Sequence, residues 1–408
     1  MTDGLVPMPL SGIRVADFCW MIAGPLATRV LANFGAEVIR IESSARTDII
    51  REQGVFPDDI SGPNASGVFN DCNTSKLSLS VDIKTPDGID IVKSVVSVSD
   101  IVVNNFRGDQ MDKWGLGYED LVKLKPDIIM ISQTMAGQDG PNSRLRAYGP
   151  TISSLTGLDS LVGYEGELPL GMGHAYADPN VGLHSTLLAL SALEQRRRTG
   201  EGAYIDVSMW EAMVTALATP MLDYALNGRV AGPVGDREIP GAPAGVFPCA
   251  GEDHWVILEV HDDTDWAGML KAMEHPEWAL DKRFENENGR MTSREELNEQ
   301  ISKWTASRDR DELAELLQSN GVIAAPCLAV SERLFDEHLM AREGFAWVEN
   351  PTLGREPVYG QAIRLSETPG YVRAPAPMLG QHSAEVLREL LGMSDDEIDE
   401  LDKAGVLA

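Results

Sequence analysis

Short apolar runs alternate with longer amphipathic segments over the first third of the chain. Their length and composition predict five buried strands, which are IRVADF (13–18), AEVIRIE (36–42), LSLSVDI (77–83), DIVVNNF (100–106) and DIIMISQ (127–133). The segments between them have helical periodicity, with Pro25 and Pro86 suited to helix starts and Gly35 to a helix end. Strand–helix–strand units imply parallel strands joined by right-handed crossovers. Residues 1 to about 135 are therefore predicted to form an open α/β sheet.

Beyond this sheet the pattern predicts a long helix, a further strand and helix, and then a smaller domain. The uncharged run Pro179–Leu193 continues as a helix into RRRTG, and YIDVSMW follows as a strand leading into a helix. RVAGPVGDREIPGAPAGVFP (229–248) is rich in glycine and proline, which is typical of a linker or an active-site loop. HWVILEV predicts a strand, residues 262–320 predict several amphipathic helices, and SAEVLRELLGM predicts one last helix.

The chain length sets the number of domains. Because 408 residues exceed one ordinary core, two domains are expected. We predict a large α/β domain over residues 1–225, a smaller α+β domain over 226–328 and a C-terminal segment over 329–408.

The formal net charge of −29 narrows the possible partners. Such a charge repels polyanions, and no stripe of Lys and Arg with interleaved aromatic residues offsets it, so nucleic acid is not an expected partner. The longest uncharged run, Pro179–Leu193, is shorter than the roughly 20 residues that a spanning helix needs, so no membrane association is expected. The opening MTDGLVPMP lacks the basic and apolar regions of a secretory signal, which predicts a cytoplasmic protein.

The cysteines are spread along the chain without a CxxC pair. They are Cys19, Cys72, Cys249 and Cys327. This spacing argues against a disulfide scaffold and against a zinc site. We expect reduced packing residues and no bound metal.

The first strand–helix–strand unit has one feature of a dinucleotide-binding fold and lacks another. Glu42 ends the second strand, where such a fold has its ribose-binding acid. The turn Met21–Leu26 has a single glycine in place of GxGxxG, which disfavours a nicotinamide or flavin cofactor. The helix near Pro25 could still accept a phosphate on its free N–H groups. Ligands of open sheets bind beyond the carboxyl ends of the strands, which here are 19–24, 42–46, 105–108 and 134–140.

Asp178 is the carboxylate whose surroundings least resemble a solvated surface. It lies among small residues in GHAYADPNVGLHS (173–185), directly before Pro179 and the long helix. No HExxH, GxSxG or P-loop motif is present, which leaves carboxylates as the candidate nucleophiles or bases. The spacing alone favours a helix N-cap. A carboxylate at a helix N-terminus also stays ionised and nucleophilic, so both roles remain open on the local sequence.

Several segments in order along the chain carry a family resemblance. They are PLSGIRVADF, AGPLAT, LANFGAEVIRIE, SKLSLSVDIKTPDG, SDIVVNNFRGDQMDKWGLGYEDL, TGEGAYIDVSMWEAM and LGQHSAEVLRELLG. With these motifs the chain resembles the family III CoA-transferases, which include formyl-CoA and carnitine CoA-transferases and the α-methylacyl-CoA racemases. The resemblance implies an open Rossmann-like parallel sheet, a smaller α+β domain, a C-terminal segment that returns to the large domain, and an interlocked dimer.

The resemblance also implies a role for Asp178. In the family's transferases the matching aspartate attacks an acyl-CoA thioester and passes through a mixed anhydride and an aspartyl-CoA thioester. The family's racemases need a histidine in a Gly-His-Asp triplet, where this chain has Ala147-Tyr148-Gly149. The resemblance is therefore closer to the transferases than to the racemases.

The expected coenzyme A contacts are carried over residue by residue. Met21, Ile22 and Ala23 match the segment that faces adenine and pantetheine, while Lys76, Lys113 and Arg146 match basic positions around the phosphates and the pocket. Each of these cations also has an interpretation as an ordinary exposed residue, which is favoured for Lys76 taken alone. Arg107 keeps the common Asn-Phe-Arg but lacks the proline that often follows, and Ser43 and Leu77 replace arginines of some relatives.

The sequence thus predicts a CoA-transferase that uses coenzyme A thioesters as substrates and no further cofactor. Tyr148 followed by Gly-Pro-Thr, near Arg146, resembles transferases that activate succinate-type dicarboxylic acids. This resemblance implies succinyl-CoA as donor and a substituted succinate such as benzylsuccinate as acceptor, with Arg146 pairing a distal carboxylate. The alternatives are an α-methylacyl-CoA racemase or epimerase and a partner subunit of a heteromeric CoA-transferase. The expected assembly is a homodimer or a heteromer with a paralogous subunit.

Overall fold

The computed structural model describes residues 8–408, apart from the side chain of residue 238. The predicted absence of a secretory signal rests on the first nine residues, of which 1–7 lie outside the described residues. The chain forms two compact units: one contains the chain up to Asp159, Gly171–Ala231 and Glu337–Ala408, and the other contains Ser160–Leu170 and Gly232–Asp336. These boundaries lie a few residues from the predicted ones, and residues 160–170 are placed with the smaller unit.

A six-stranded parallel sheet is the centre of the larger unit. Its strand order is β3-β2-β1-β4-β5-β6, which confirms the predicted open sheet. The strands are β1 (Arg14–Asp17), β2 (Glu37–Glu42), β3 (Leu77–Ser80), β4 (Ile101–Asn104), β5 (Ile129–Thr134) and β6 (Ala203–Ser208). Strands β1 to β4 lie within the first four apolar runs and β5 extends one residue beyond the fifth, because strands covered on both faces are largely apolar. The edge strand β6, by contrast, is partly exposed and belongs to none of those five runs.

Helices cover both faces of this sheet. Those before residue 228 are α1 (Ala23–Asn33), α2 (Ile49–Glu52), α3 (Gly67–Cys72), α4 (Pro86–Ser97), α5 (Gln110–Lys113), α6 (Tyr118–Leu124), α7 (Gly149–Thr156), α8 (Ala177–Thr199), α9 (Met209–Val214) and α10 (Ala218–Asn227). Successive strand residues point to opposite faces: Val15 packs with α1 and α8, while Ala16 packs with α4 and α6.

The C-terminal segment returns to the larger unit, as predicted. It contains α15 (Glu337–Ala341), the antiparallel pair β10 (Phe345–Asn350) and β11 (Gly354–Tyr359), α16 (Ser383–Glu385) continuing as a π-helical turn over Val386–Leu390, and α17 (Asp395–Lys403). Leu387 and Val406 are buried in the core on the α4 face of the sheet. The helix α17 was not predicted, although Ser394 and Glu397 form the capping box that starts it.

The smaller unit has an antiparallel sheet covered by helices. Its strands are β7 (Ala244–Pro248), β8 (Trp255–Glu259) and β9 (Ile323–Cys327), and its helices are α11 (Asp263–Ala272), α12 (Glu287–Thr292), α13 (Arg294–Thr305) and α14 (Arg310–Ser319). The expected loop over 229–248 therefore ends in a strand. Phe247 explains the difference, because its side chain is buried in the core of this unit.

Candidate active site

A cavity of about 560 Å³ opens at the carboxyl ends of β1, β4 and β5. It lies beyond the strand ends where ligands of open sheets bind. The N-terminal ends of α1 and α8 reach it through Ala23 and Asp178, and residues 105–107, 133–135 and 143–149 contribute most of the remaining lining. Three of the four strand-end segments that the sequence indicated, those at 19–24, 105–108 and 134–140, therefore meet at one cavity.

Asp178 is the second residue of α8, so the N-cap interpretation is wrong. The helix begins at Ala177, the N-cap position is Tyr176, and no side chain caps this end. The helix starts before Pro179 because proline is tolerated in a first turn, where its missing N–H has no intrahelical partner. The Asp178 N–H donates to the carbonyl of Ala175 at 3.1 Å, and the backbone N–H groups of Asp178 and Ala23 stabilise the ionised form of the carboxylate.

Burial raises the pKa of Asp178 to about 6, while these two backbone N–H groups and the charge of His174 act to lower it. Burial therefore outweighs the groups that stabilise the ionised carboxylate. The side chain is 8% exposed, and no described Lys or Arg forms an ion pair with it. With a pKa of about 6, roughly 90% of the carboxylate is ionised at pH 7.

Gly149 lies against the Asp178 carboxylate. A Cβ atom at residue 149 would lie 2.2 Å from Asp178 Oδ2 and 2.5 Å from the Cβ of Ala175. Real non-bonded atoms do not approach so closely, so this position of the chain requires glycine. Tyr148, which precedes it and stands where the family's racemases have their histidine, is exposed at the cavity wall. Among the described residues that line the cavity there is no histidine.

The turn before α1 is held by side-chain hydrogen bonds to the backbone of Cys19, Trp20 and Met21. Met21 has a φ of 63°, in the left-handed region that non-glycine residues rarely adopt. Both carboxylate oxygens of Asp48 accept from its N–H at 3.0 Å. Asn105 bonds both the N–H and the carbonyl of Trp20, at 2.8 and 2.7 Å. Arg40 donates to the carbonyl of Cys19 at 2.8 Å and to Asp48 at 2.5 Å.

The three residues predicted to contact coenzyme A from this turn differ in their relation to the cavity. Met21 and Ala23 are among the residues that line it, and Ile22 is not. Met21 and Ile22 both pack against a small core that contains Ile50 and Phe69. The predicted contact of Ile22 with coenzyme A therefore stays a prediction.

The environment of Lys76 fits neither interpretation of this residue, as a phosphate contact or as an exposed cation. It is 2% exposed, so it is not a surface cation. Its ammonium donates to the Asp17 carboxylate at 3.0 Å, the Pro25 carbonyl at 3.0 Å and the Asn73 carboxamide at 2.9 Å. These three bonds use all of its donors, so none is left for a phosphate. Glu42 is also structural, because it pairs with Arg40 and Arg51 in the interior.

The other predicted cations lie nearer the surface. Arg107 and Arg146 line the cavity. Lys113 lies outside its lining and donates to Asp109 at 2.9 Å on an exposed surface. The structure thus brings together Met21, Ala23, Arg107, Arg146, Tyr148 and Asp178 at one cavity.

Sequence reasoning missed three groups at this site. Arg40 and Asp48 hold the turn through hydrogen bonds to its backbone, and Gln133 lines the cavity from the end of β5. The available signal for Gln133 was a polar residue ending an otherwise apolar strand. For Arg40, a charge inside the apolar run AEVIRIE was the corresponding signal.

Two observations concern membrane spans and metal sites in the described part of the chain. No helix among residues 8–408 is both long and apolar enough to cross a membrane. In the same range, no group of three or more His, Cys, Asp and Glu side chains is placed to hold a metal ion.

Comparison with known proteins agrees with this geometry. Residues 10–383 match the sequence profile of CoA-transferase family III, and the chain therefore belongs to that family of enzymes. It is 32% identical to succinyl-CoA–D-citramalate CoA-transferase of Chloroflexus aurantiacus over 98% of both chains. It is also 32% identical to the succinyl-CoA–L-malate CoA-transferase alpha subunit of Chloroflexus aurantiacus, over 98% of this chain and 92% of that one. A CAIB/BAIF family protein from Brucella suis shares the fold with a TM-score of 0.87 and 29% identity, over 94% of this chain and 100% of that one.

Proposed function

We propose that this enzyme transfers CoA from succinyl-CoA to a small dicarboxylic acid, with Asp178 as the covalent nucleophile. The observation that carries the proposal is a buried carboxylate without a cationic partner at the wall of a 560 Å³ cavity. The donor and the acceptor class are supported by the names of the two relatives from Chloroflexus aurantiacus, which act on dicarboxylic acids.

The proposed reaction has four covalent steps. An Asp178 oxygen attacks the thioester carbonyl of succinyl-CoA, and the C–S bond breaks to give a mixed anhydride and CoA thiolate. The thiolate attacks the aspartyl carbonyl and releases succinate, leaving an aspartyl-CoA thioester. The acceptor carboxylate then attacks the aspartyl carbonyl and expels the thiolate, and the thiolate finally attacks the acceptor's carbonyl to give the new acyl-CoA and free Asp178. Together, these four steps replace a direct acyl exchange between two weak nucleophiles, which would be difficult.

The surrounding residues support these steps in different ways. The raised pKa makes the Asp178 carboxylate more basic than an ordinary aspartate while leaving it ionised at pH 7. The Ala23 N–H stabilises the ionised carboxylate, and Gly149 leaves open the space beside Oδ2. The reaction requires coenzyme A thioesters and no further cofactor.

Arg146 and Arg107 are the proposed partners of the distal carboxylate and of coenzyme A. Both line the cavity, and a guanidinium can bind a carboxylate or a phosphate through two parallel hydrogen bonds. Benzylsuccinate is one acceptor to test in a panel with unsubstituted and hydroxylated dicarboxylic acids.

The nucleophile is tested by weighing the intact protein after brief incubation with succinyl-CoA. We expect a CoA adduct on the wild type and none on Asp178→Asn. Asp71→Asn is the matched control, because burial also raises the pKa of Asp71 but Arg29 pairs with it away from the cavity. An undiminished adduct on Asp178→Asn would contradict the assignment. Deuterium uptake from solvent at the α-carbon of an acyl-CoA, without a carboxylate acceptor, would instead indicate the racemase alternative.

We also propose that the active enzyme is an assembly of two such subunits. The helix α10 supports this, because none of its residues is buried and Met221, Leu222 and Leu226 are exposed. Native mass spectrometry of the purified chain should give a dimer. A monomer that becomes active only with a paralogous chain would indicate the heteromeric alternative.

A further inference from the structure

Gln133 is a buried polar side chain without a partner at the wall of the Asp178 cavity. It lies at the carboxyl end of β5 and is 0% exposed. Neither its Oε1 nor its Nε2 has a hydrogen-bond partner among the described residues. Gln133 nevertheless belongs to the residues that line the cavity. An unpaired buried carboxamide costs the fold about 1–3 kcal/mol, and at a cavity wall a bound ligand can supply the missing hydrogen bonds.

Gln133 and Asp178 lie beside the same turn of α1. On β5 the residues Ile129 and Ile131 pack in the core that contains α1 and α8, and Gln133 continues this face of the strand. A Cβ placed on Gly24 would lie 3.2 Å from Gln133 Oε1. The backbone N–H of the preceding residue, Ala23, stabilises the ionised form of the Asp178 carboxylate. The carboxamide therefore lies next to backbone that acts on the proposed nucleophile.

The chemistry of a carboxamide limits what can satisfy it. It offers one acceptor oxygen and a donor nitrogen side by side. A simple carboxylate or thioester carbonyl only accepts, and would leave Oε1 unpaired. A hydroxyl group on the carbon next to a carboxyl carbon offers a donor and an acceptor side by side, which complements both atoms of the carboxamide.

We propose that Gln133 is a specificity-determining residue that binds the 2-hydroxyl and the adjacent carbonyl oxygen of a 2-hydroxy acid acceptor. This inference rests on the proposed function, since it identifies which dicarboxylic acids the Asp178 site accepts. It assigns to Gln133 the choice between a hydroxylated acceptor and its deoxy analogue. Arg146 and Arg107 then bind the charged carboxylate of the acceptor and do not discriminate its hydroxyl group.

The test compares acceptors that differ by one hydroxyl group, with succinyl-CoA as donor. Glutarate and the two enantiomers of 2-hydroxyglutarate form such a set, and kcat/KM is measured for each. The wild type should prefer one 2-hydroxyglutarate enantiomer over glutarate. Gln133→Met, which keeps the length but not the polarity, should lose about 10- to 100-fold on that enantiomer and change less than about threefold on glutarate.

Asn33→Leu is the matched control. Asn33 is 0% exposed and its carboxamide also has no partner among the described residues, but it does not line the cavity. This variant should leave the preference between the two acids unchanged. Gln133→Met should also unfold at a temperature no lower than the wild type does, because it removes a polar group that nothing in the fold satisfies.

The possible outcomes separate the two proposals. Equal losses on both acids, an unchanged ratio, or a marked loss of thermal stability in Gln133→Met would overturn the role of Gln133 while leaving CoA transfer by Asp178 intact. Failure of the wild type to transfer CoA to any dicarboxylic acid, together with the absence of a CoA adduct on Asp178, would overturn the proposed function and this inference with it.

Discussion

Glu42 at the end of β2 and Asp178 at the start of α8 are both buried carboxylates, but only Glu42 has cationic partners. Burial raises the pKa of Glu42, yet Arg40 and Arg51 outweigh it, so the pKa is lower than usual. For Asp178 burial also acts first, no guanidinium or ammonium offsets it, and the pKa rises to about 6. Burial alone therefore does not distinguish Asp178, the proposed nucleophile, from a structural carboxylate. The absence of a paired cation does.

Removing Arg40, a cation that pairs with Glu42, should have the largest effect, and this effect is on the stability of the fold. Arg40→Met leaves Glu42 and Asp48 short of a buried partner, so we expect a loss of about 3–5 kcal/mol in the free energy of unfolding, measured with urea. Unpaired buried carboxylates have raised pKa values and favour their protonated form, so the loss should be larger at pH 8 than at pH 5.

Arg229→Met serves as the control for this variant. Arg229 pairs with Asp223 on an exposed surface, and an exposed pair contributes at most about 1 kcal/mol. Equal losses in the two variants would show that the interior network has no special role.

Crowding the unpaired acid should have the next largest effect, on activity. In Gly149→Ala the new methyl group would lie 2.2 Å from Asp178 Oδ2, so the carboxylate or α7 must shift. Overpacking of this kind costs about 1–3 kcal/mol, and we expect kcat/KM to fall about 10- to 100-fold. Gly232→Ala is the control, because a methyl group there meets no atom within 4 Å. A Gly149→Ala enzyme with full activity would show that the position of Asp178 does not matter.

The raised pKa of Asp178 gives a pH dependence of intermediate size. The attacking form is the ionised one, and it is lost as the pH falls through about 6, not near the ordinary value of 3.8. We expect kcat/KM to be level above pH 7 and to fall about tenfold for each pH unit below 6. The residual activity of Asp178→Asn should not show this acidic limb. If the wild-type profile is level down to pH 5, the carboxylate is not the group that must be ionised.

The sequence predicted the sheet better than it predicted the roles of single charged residues. Strands β1 to β5 followed from apolar runs, because both faces of such strands are buried whatever the details of packing. The role of Lys76 could not be predicted from the local sequence, since its partner Asp17 lies 59 residues away in the chain. Gln133 was missed for a related reason, because an unpaired buried carboxamide is visible only when all its neighbours are known. The resemblance suggested Asp178 as the nucleophile, while the structure added its burial, the nearby Ala23 N–H and its lack of a paired cation.

Substitution of Lys113, a cation on the protein surface, should have the smallest effect on stability and on the KM for succinyl-CoA. The resemblance implied a contact with coenzyme A, but its ammonium bonds Asp109 outside the lining of the cavity. Lys113→Ala should change the free energy of unfolding by less than about 0.5 kcal/mol, because exposed pairs contribute little. It should change the KM for succinyl-CoA by less than about threefold, whereas Arg146→Ala, at the cavity itself, should raise that KM by at least tenfold. If Lys113→Ala raises KM as much as Arg146→Ala does, coenzyme A extends beyond the cavity to the Asp109 surface.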